Sequence, residues 1–166
     1  MAPESRRLVS KMPGRVASKV PFNALLGIRL ERLHRDGVTV GCTLRDNLRN
    51  STGAAHGGVA AALADVAVAI AILRRVKGKR PITTVELKIN YLQPVTEGRI
   101  FARSHLLRAG STLAVGSVEL TDSKARLVGT AIVTYLFLDA RGGRDRRGPA
   151  RSSSRNTRKR TETPTR

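Results

Sequence analysis

Apolar and polar positions change rhythm twice along the chain. Around residues 28–33, Ile28 and Leu30 alternate with Arg29 and Glu31, and from 38 to 44 Val38, Val40, Cys42 and Leu44 recur at every second position. That is the period of half-buried strands. His34-Arg35-Asp36-Gly37 lies between them with an Asp-Gly turn signal, so the two runs predict a hairpin. Ahead of it, residues 21–27 start with Pro21 and end with Gly27, the frame of one short helical turn. From Gly57 to Leu73 the alternation stops, and 17 residues are apolar or glycine except Asp65. This predicts a helix over residues 57–76, closed by Arg74, Arg75 and Lys77 at the negative end of its dipole and then by Gly78. A helix apolar nearly all round should be buried along most of its length.

Period two returns after Pro81. Thr84, Glu86, Lys88 and Asn90 fall on one side of the predicted strand, Val85, Leu87, Ile89 and Tyr91 on the other. Gln93-Pro94 ends it and Glu97-Gly98 turns the chain. Further strands follow at 100–107, 113–120 and 127–138, separated by the polar turns Arg108-Ala109-Gly110-Ser111 and Thr121-Asp122-Ser123-Lys124. Two strands, one long helix and four strands with hairpin-like connections make an α+β domain, an antiparallel sheet curled around one central helix.

Composition changes this picture at the chain ends. The net charge of +19 suggests a nucleic-acid binder, but residues 1–20 carry +4 of it and residues 141–166 carry +8. Neither end has much to bury, and the second lacks Val, Ile, Leu and aromatic residues altogether. The expected organisation is therefore a flexible basic segment at 1–20, a folded domain at 21–140 and a disordered basic tail at 141–166. Nucleic-acid binding through that tail is a second functional reading. Against it stands the lack of a stacking or groove-reading module. Aromatics make up only 3% of the chain (Phe22, Tyr91, Phe101, Tyr135 and Phe137), so Val, Leu, Ile and Ala must fill the core. The lone Cys42 excludes an internal disulfide, reads as buried filler and fits a reducing, cytoplasmic compartment. The apolar run is at the short limit for crossing a bilayer and has a carboxylate at its middle, which disfavours a membrane span. His34, His56 and His105 are too scattered for a metal site, and no cofactor is implied.

Asp65 is the anomaly. A charge among Ala61, Ala64, Val66 and Ala69 costs several kcal/mol unless it is compensated. One helix start upstream, Asn50-Ser-Thr-Gly53-Ala-Ala-His56-Gly57-Gly58 offers unpaired backbone N–H groups and a positive dipole end, suited to a developing oxyanion. The spacing Asn-x-x-Gly-x-x-His-Gly-Gly, with an acidic residue nine positions after the histidine, resembles that of PaaI-like acyl-CoA thioesterases of the hotdog fold. Thr84-Val-Glu-Leu-Lys-Ile-Asn-Tyr91-Leu-Gln-Pro94 resembles the family's next strand and Leu25-Leu26-Gly27-Ile28 its entry segment. The likeness covers roughly residues 21–139.

That resemblance implies a single hotdog domain and hydrolysis of an acyl-CoA thioester to free acid and CoA. It further implies that Asn50, His56 and Gly57 handle the carbonyl and that Asp65, from the other subunit of a dimer, is base or nucleophile. Thr84 matches a hydroxyl residue that positions the attacking water. Gly58 belongs to the same substrate-binding turn, and Arg108, Gly110 and Ser111 match a turn that contacts CoA. Helix geometry agrees with a shared site, because nine residues rise ~13.5 Å, too far for Asp65 to serve its own Gly57. A homodimer is therefore expected, with a tetramer of two dimers as the larger assembly the family allows. Plainer roles stand beside these: Asp65 as a structural acceptor, His56 as a cap, the glycines as packing devices, Asn50 as a turn residue and Thr84 as a strand former. The run Arg74, Arg75, Lys77, Lys79 and Arg80 reads either as a solvated helix end or as a contact for CoA phosphates. The fold also hosts acyl-CoA binders and enoyl-thioester hydratases, so the fold alone does not choose among them.

Overall fold

The computed structural model describes residues 20–138, and the expectations for 1–19 and 139–166 lie outside them. A short helix α1 (Pro21–Leu26) ends at Gly27, whose left-handed φ of 70° turns the chain into strand β1 (Arg29–Leu33). Strand β2 (Val38–Thr43) returns antiparallel to it. The long helix α2 (Gly57–Arg75) precedes strands β3 (Ile82–Tyr91), β4 (Arg99–Ala109), β5 (Leu113–Asp122) and β6 (Leu127–Phe137). All six strands form one antiparallel sheet in the order β1-β2-β4-β5-β6-β3, wrapped on α2. This is the hotdog architecture.

Alternate residues of the inner strands make the core. Val38, Val40, Cys42, Ile100, Ala102, Val118, Leu120 and Val133 join Leu63, Ala67, Val68, Ile70 and Ile72 of α2 in one buried cluster. Burial pushes the Cys42 thiol above its ordinary range, which fits inert filler. The Ser104 hydroxyl is fully buried on the same face. It accepts from the Val38 N–H at 3.1 Å and lies 3.1 Å from the Ala67 carbonyl, so it joins two strands to the helix. By length and composition α2 could cross a membrane, but half of its most apolar window is buried against the sheet.

Three features depart from the expected pattern. The β3–β4 connection is not a hairpin: β3 pairs with β6, while β4 pairs with β2 and β5. The linking residues are drawn instead to the loop before α2, where the Ala55 N–H bonds the Val95 carbonyl and the Leu44 N–H bonds the Gly98 carbonyl. The helix is not covered all round either. Gly58, Ala61, Ala62, Asp65, Ala69 and Leu73 form a stripe, at helical spacing, that the sheet leaves partly open. Finally, a β-bulge interrupts β3 between Thr84 and Glu86, so strict alternation fails there. Val85 takes up the extra residue and is 52% exposed. Thr84, opposite Tyr135, therefore shares the inward face with Leu87 and Ile89 instead of the outward face with Glu86 and Lys88.

Close approach of sheet to helix depends on Gly116 of β5, where an added Cβ would stand 2.9 Å from both Val68 methyl carbons. Gly116→Ala should lower unfolding free energy by about 1–3 kcal/mol through overpacking. Adding Val68→Ala in the same chain should recover part of that loss. Urea denaturation of the single and double variants checks both expectations.

Candidate active site

The loop entering α2 is fixed by one side chain. Asn50 Oδ1 accepts from the Thr52 N–H at 3.0 Å, the Thr52 hydroxyl at 2.8 Å and the Ala54 N–H at 3.1 Å. Gly53, at φ 82°, supplies the left-handed turn this requires, and its N–H bonds the Asn50 carbonyl at 3.1 Å. Arg49 clamps the loop from outside through the carbonyls of Gly53 and Thr96 at 2.6 and 2.7 Å. With its side-chain oxygen committed to the loop, Asn50 keeps the amide NH2 as its unspent polar end.

His56 is the N-cap of α2. Its Nδ1 accepts from the Gly58 N–H at 3.0 Å, which puts the proton of the neutral ring on Nε2. The Val59 N–H bonds the His56 carbonyl at 2.9 Å. Of the first three helix amides, that of Gly57 has no partner among the described residues. Tyr91, at the far end of β3, donates its hydroxyl to the Gly57 carbonyl at 3.0 Å. Asn50, Gly57, Tyr91, Gln93 and Val95 line a cleft of about 430 Å³ here. An added Cβ on Gly57 would stand 3.1 Å from the Tyr91 ring and crowd the cleft.

Two turns along α2 lies the second cluster. Asp65 Oδ1 accepts from the Thr84 hydroxyl at 2.9 Å and from the Tyr135 hydroxyl at 2.7 Å. The Tyr135 oxygen is also 3.1 Å from the Asp65 carbonyl. Asp65 is half-buried, Thr84 exposed and Tyr135 only 4% exposed. Burial, with the adjacent Asp65 charge, pushes the Tyr135 phenol far above its ordinary range, so it stays a protonated donor. The inward turn of Thr84 at the bulge is what makes its bond to Asp65 reachable.

The structure therefore gathers Asn50, His56, Gly57 and Gly58 at one end of β3, and Asp65 with Thr84 at the other. It does not bring the two groups together within one chain. Gly110 and Ser111 sit in the β4–β5 turn, where the Gly110 N–H bonds the Leu113 carbonyl at 2.9 Å, and Arg108 lies just before it at the end of β4. This turn is on the Asp65 side, since Ala114 just beyond it pairs with Tyr135. Arg74 binds the His34 and Gly37 carbonyls, so it ties the helix end to the β1–β2 turn, and the Arg80 guanidinium stacks over Phe137 at 4.3 Å. His105 is held by Asp36 at 2.7 Å and His34 by Thr39 at 2.8 Å, away from both clusters. Sequence reasoning missed Tyr91 and Tyr135. The available signal was that a tyrosine in an apolar strand still needs a partner for its hydroxyl.

Known proteins resemble this one in sequence and in fold. The family model described as thioesterase superfamily matches residues 52–128. The medium/long-chain acyl-CoA thioesterase YigI of Escherichia coli K12 is 27% identical over 150 residues, covering 81% of this chain and 95% of that protein. Acyl-coenzyme A thioesterase 13 of Mus musculus is 30% identical over 128 residues, covering 72% and 81%. Among solved structures, a single-site mutant of the phenylacetic acid degradation protein PaaI from Thermus thermophilus superposes with a TM-score of 0.64. It is 28% identical, and the match covers 71% of this chain and 99% of that one. The fold, the helix-start loop and these likenesses agree: the chain belongs to the thioesterase superfamily and is a hotdog-fold thioester hydrolase.

Proposed function

We propose that the protein hydrolyses acyl-CoA thioesters to free acid and CoA at a site completed by a second copy of the chain. The observation that carries this reading is the placement of the carbonyl-handling groups and the carboxylate at opposite ends of one edge strand. Among the described residues, β3 leaves a ten-residue edge without a partner strand. The other edge, β1, is short, bulged and charged, which are the usual guards against further pairing. Antiparallel pairing of two β3 edges sets the Thr84 end of each against the Tyr91 end of the other. Asp65 then faces the second copy's Gly57. The open stripe of small residues on α2 lets two such helices approach closely beside the paired edges.

In this arrangement the thioester lies in the cleft at the start of α2. Its carbonyl oxygen takes the Gly57 N–H, reinforced by the helix dipole, with the Asn50 amide and the His56 Nε2–H as flanking donors. Asp65 of the second copy acts in one of two ways. As a base it takes a proton from water, whose oxygen attacks the carbonyl carbon. As a nucleophile it forms a mixed anhydride that water then opens. Either route breaks the carbon–sulfur bond, and the CoA thiolate leaves and is protonated. The Arg108–Ser111 turn, brought in on the Asp65 side, supplies a cation for the CoA phosphates. Cys42, buried and unpaired, supports a cytoplasmic location.

Release of free thiol from a panel of saturated acyl-CoAs tests the reaction. Wild-type protein should release thiol, and Asp65→Asn should lower kcat by about 100- to 10,000-fold with its melting temperature kept. Undiminished turnover by Asp65→Asn would remove Asp65 from the chemistry. For the assembly, Ala69→Arg on the open stripe should weaken dimerisation about 100-fold in sedimentation while the monomer stays folded. A dimer of unchanged affinity would place the interface elsewhere.

A further inference from the structure

We propose that Tyr135 is a positioning residue that commits Asp65 to act through a single oxygen, Oδ2. The inference rests on the reading of Asp65 as the acting carboxylate and goes one step beyond it. Both donors that reach the carboxylate, Tyr135 at 2.7 Å and Thr84 at 2.9 Å, fall on Oδ1. Among the described residues no donor reaches Oδ2. A carboxylate carrying two hydrogen bonds on one oxygen cannot rotate without breaking both, and the occupied oxygen is the weaker base of the two. Oδ2 is therefore the atom that takes the proton from water or attacks the thioester carbon.

The two donors differ in how firmly they hold. Thr84 lies on the edge strand β3, exposed in the single chain, and its hydroxyl can turn about one bond. Tyr135 is rigid, buried in β6 between its ladder neighbours Thr84 and Ala114, and its ring belongs to the core cluster. Its hydroxyl also lies 3.1 Å from the Asp65 backbone carbonyl, so it locates the side chain relative to the helix as well as the carboxylate oxygen. Tyr135 does not touch the substrate. It acts only through Asp65, by keeping Oδ2 in line with the thioester carbon across the interface. A small misplacement of such a group is costly, because reaction needs the atoms within a narrow approach distance and angle.

Thiol release by Tyr135→Phe, which removes the hydroxyl and keeps the ring, tests this. The expected result is a kcat about 10- to 100-fold lower with KM within about twofold, since substrate binding is untouched while orientation is lost. Introduced into Asp65→Asn, the same change should lower the residual rate no further, because the residue it acts through is already disabled. A melting curve confirms that each variant is folded, and Tyr135→Met serves as the hydroxyl-free variant should the phenylalanine protein not fold. Wild-type kcat in folded Tyr135→Phe overturns the proposal, as does an equal loss in the Asp65→Asn background, which marks a purely structural role. If Asp65→Asn itself turns over normally, the underlying reading of Asp65 fails instead, and the two failures are thereby distinguished.

Discussion

A carboxylate stands at the ninth position of α2, in a helix with no other charge before Arg74, and two hydroxyls reach it there. The hydroxyls come from different strands. Tyr135 points inward from β6 by ordinary alternation. Thr84 points inward only because Val85 is bulged out of β3, and the register then sets Thr84 directly across from Tyr135. Remove the bulge and Thr84 joins the outward face with Glu86 and Lys88, leaving Asp65 with a single donor. The pairing of β3 with β6, which makes β3 an edge strand, is thus tied to how one charge is satisfied.

The same constraint underlies the proposal that two copies of the chain share each site. Fixing the carboxylate two turns into the helix separates it by ~12 Å of rise from the Gly57 amide at the helix start. Bending the helix to close that distance would break its packing against the sheet. In the proposed dimer, one β3 edge presented to another would close it without any change inside the chain, because antiparallel pairing exchanges the two ends. In that proposed pairing the open face of α2, lined by Ala61, Ala62 and Ala69 beside Asp65, would keep the helix from standing in the way.

Much of this was legible in the residues. The apolar run gave the helix from Gly57, its observed end at Arg75 falling one residue before the expected one. Period-two alternation placed all six strands, and the His56–Asp65 spacing singled out the residues that now line the two clusters. What alternation could not show was its own interruption, since Thr84-Val85-Glu86 has no glycine or proline to mark a bulge. Nor does sequence order show that β3 lies beside β6, because that neighbour is chosen by the loop between Gln93 and Gly98 bonding to residues around Leu44 and Ala55. Tyr135 was hidden for a different reason. In a strand of Val, Ile and Leu it reads as bulk, and its hydroxyl acquires meaning only once the strand order brings Asp65 to it.

If one site takes Gly57 and its neighbours from one subunit and Asp65 from the other, two inactive variants should complement each other. The pair to mix is Asp65→Asn and a chain carrying Asn50→Ala with His56→Ala. After dissociation and reassociation of an equimolar mixture, half the dimers are mixed and each holds one intact site, so about a quarter of wild-type thiol release should return. A mixture as inactive as its components, with mixed dimers shown by native mass spectrometry, would mean that each site is built within a single chain.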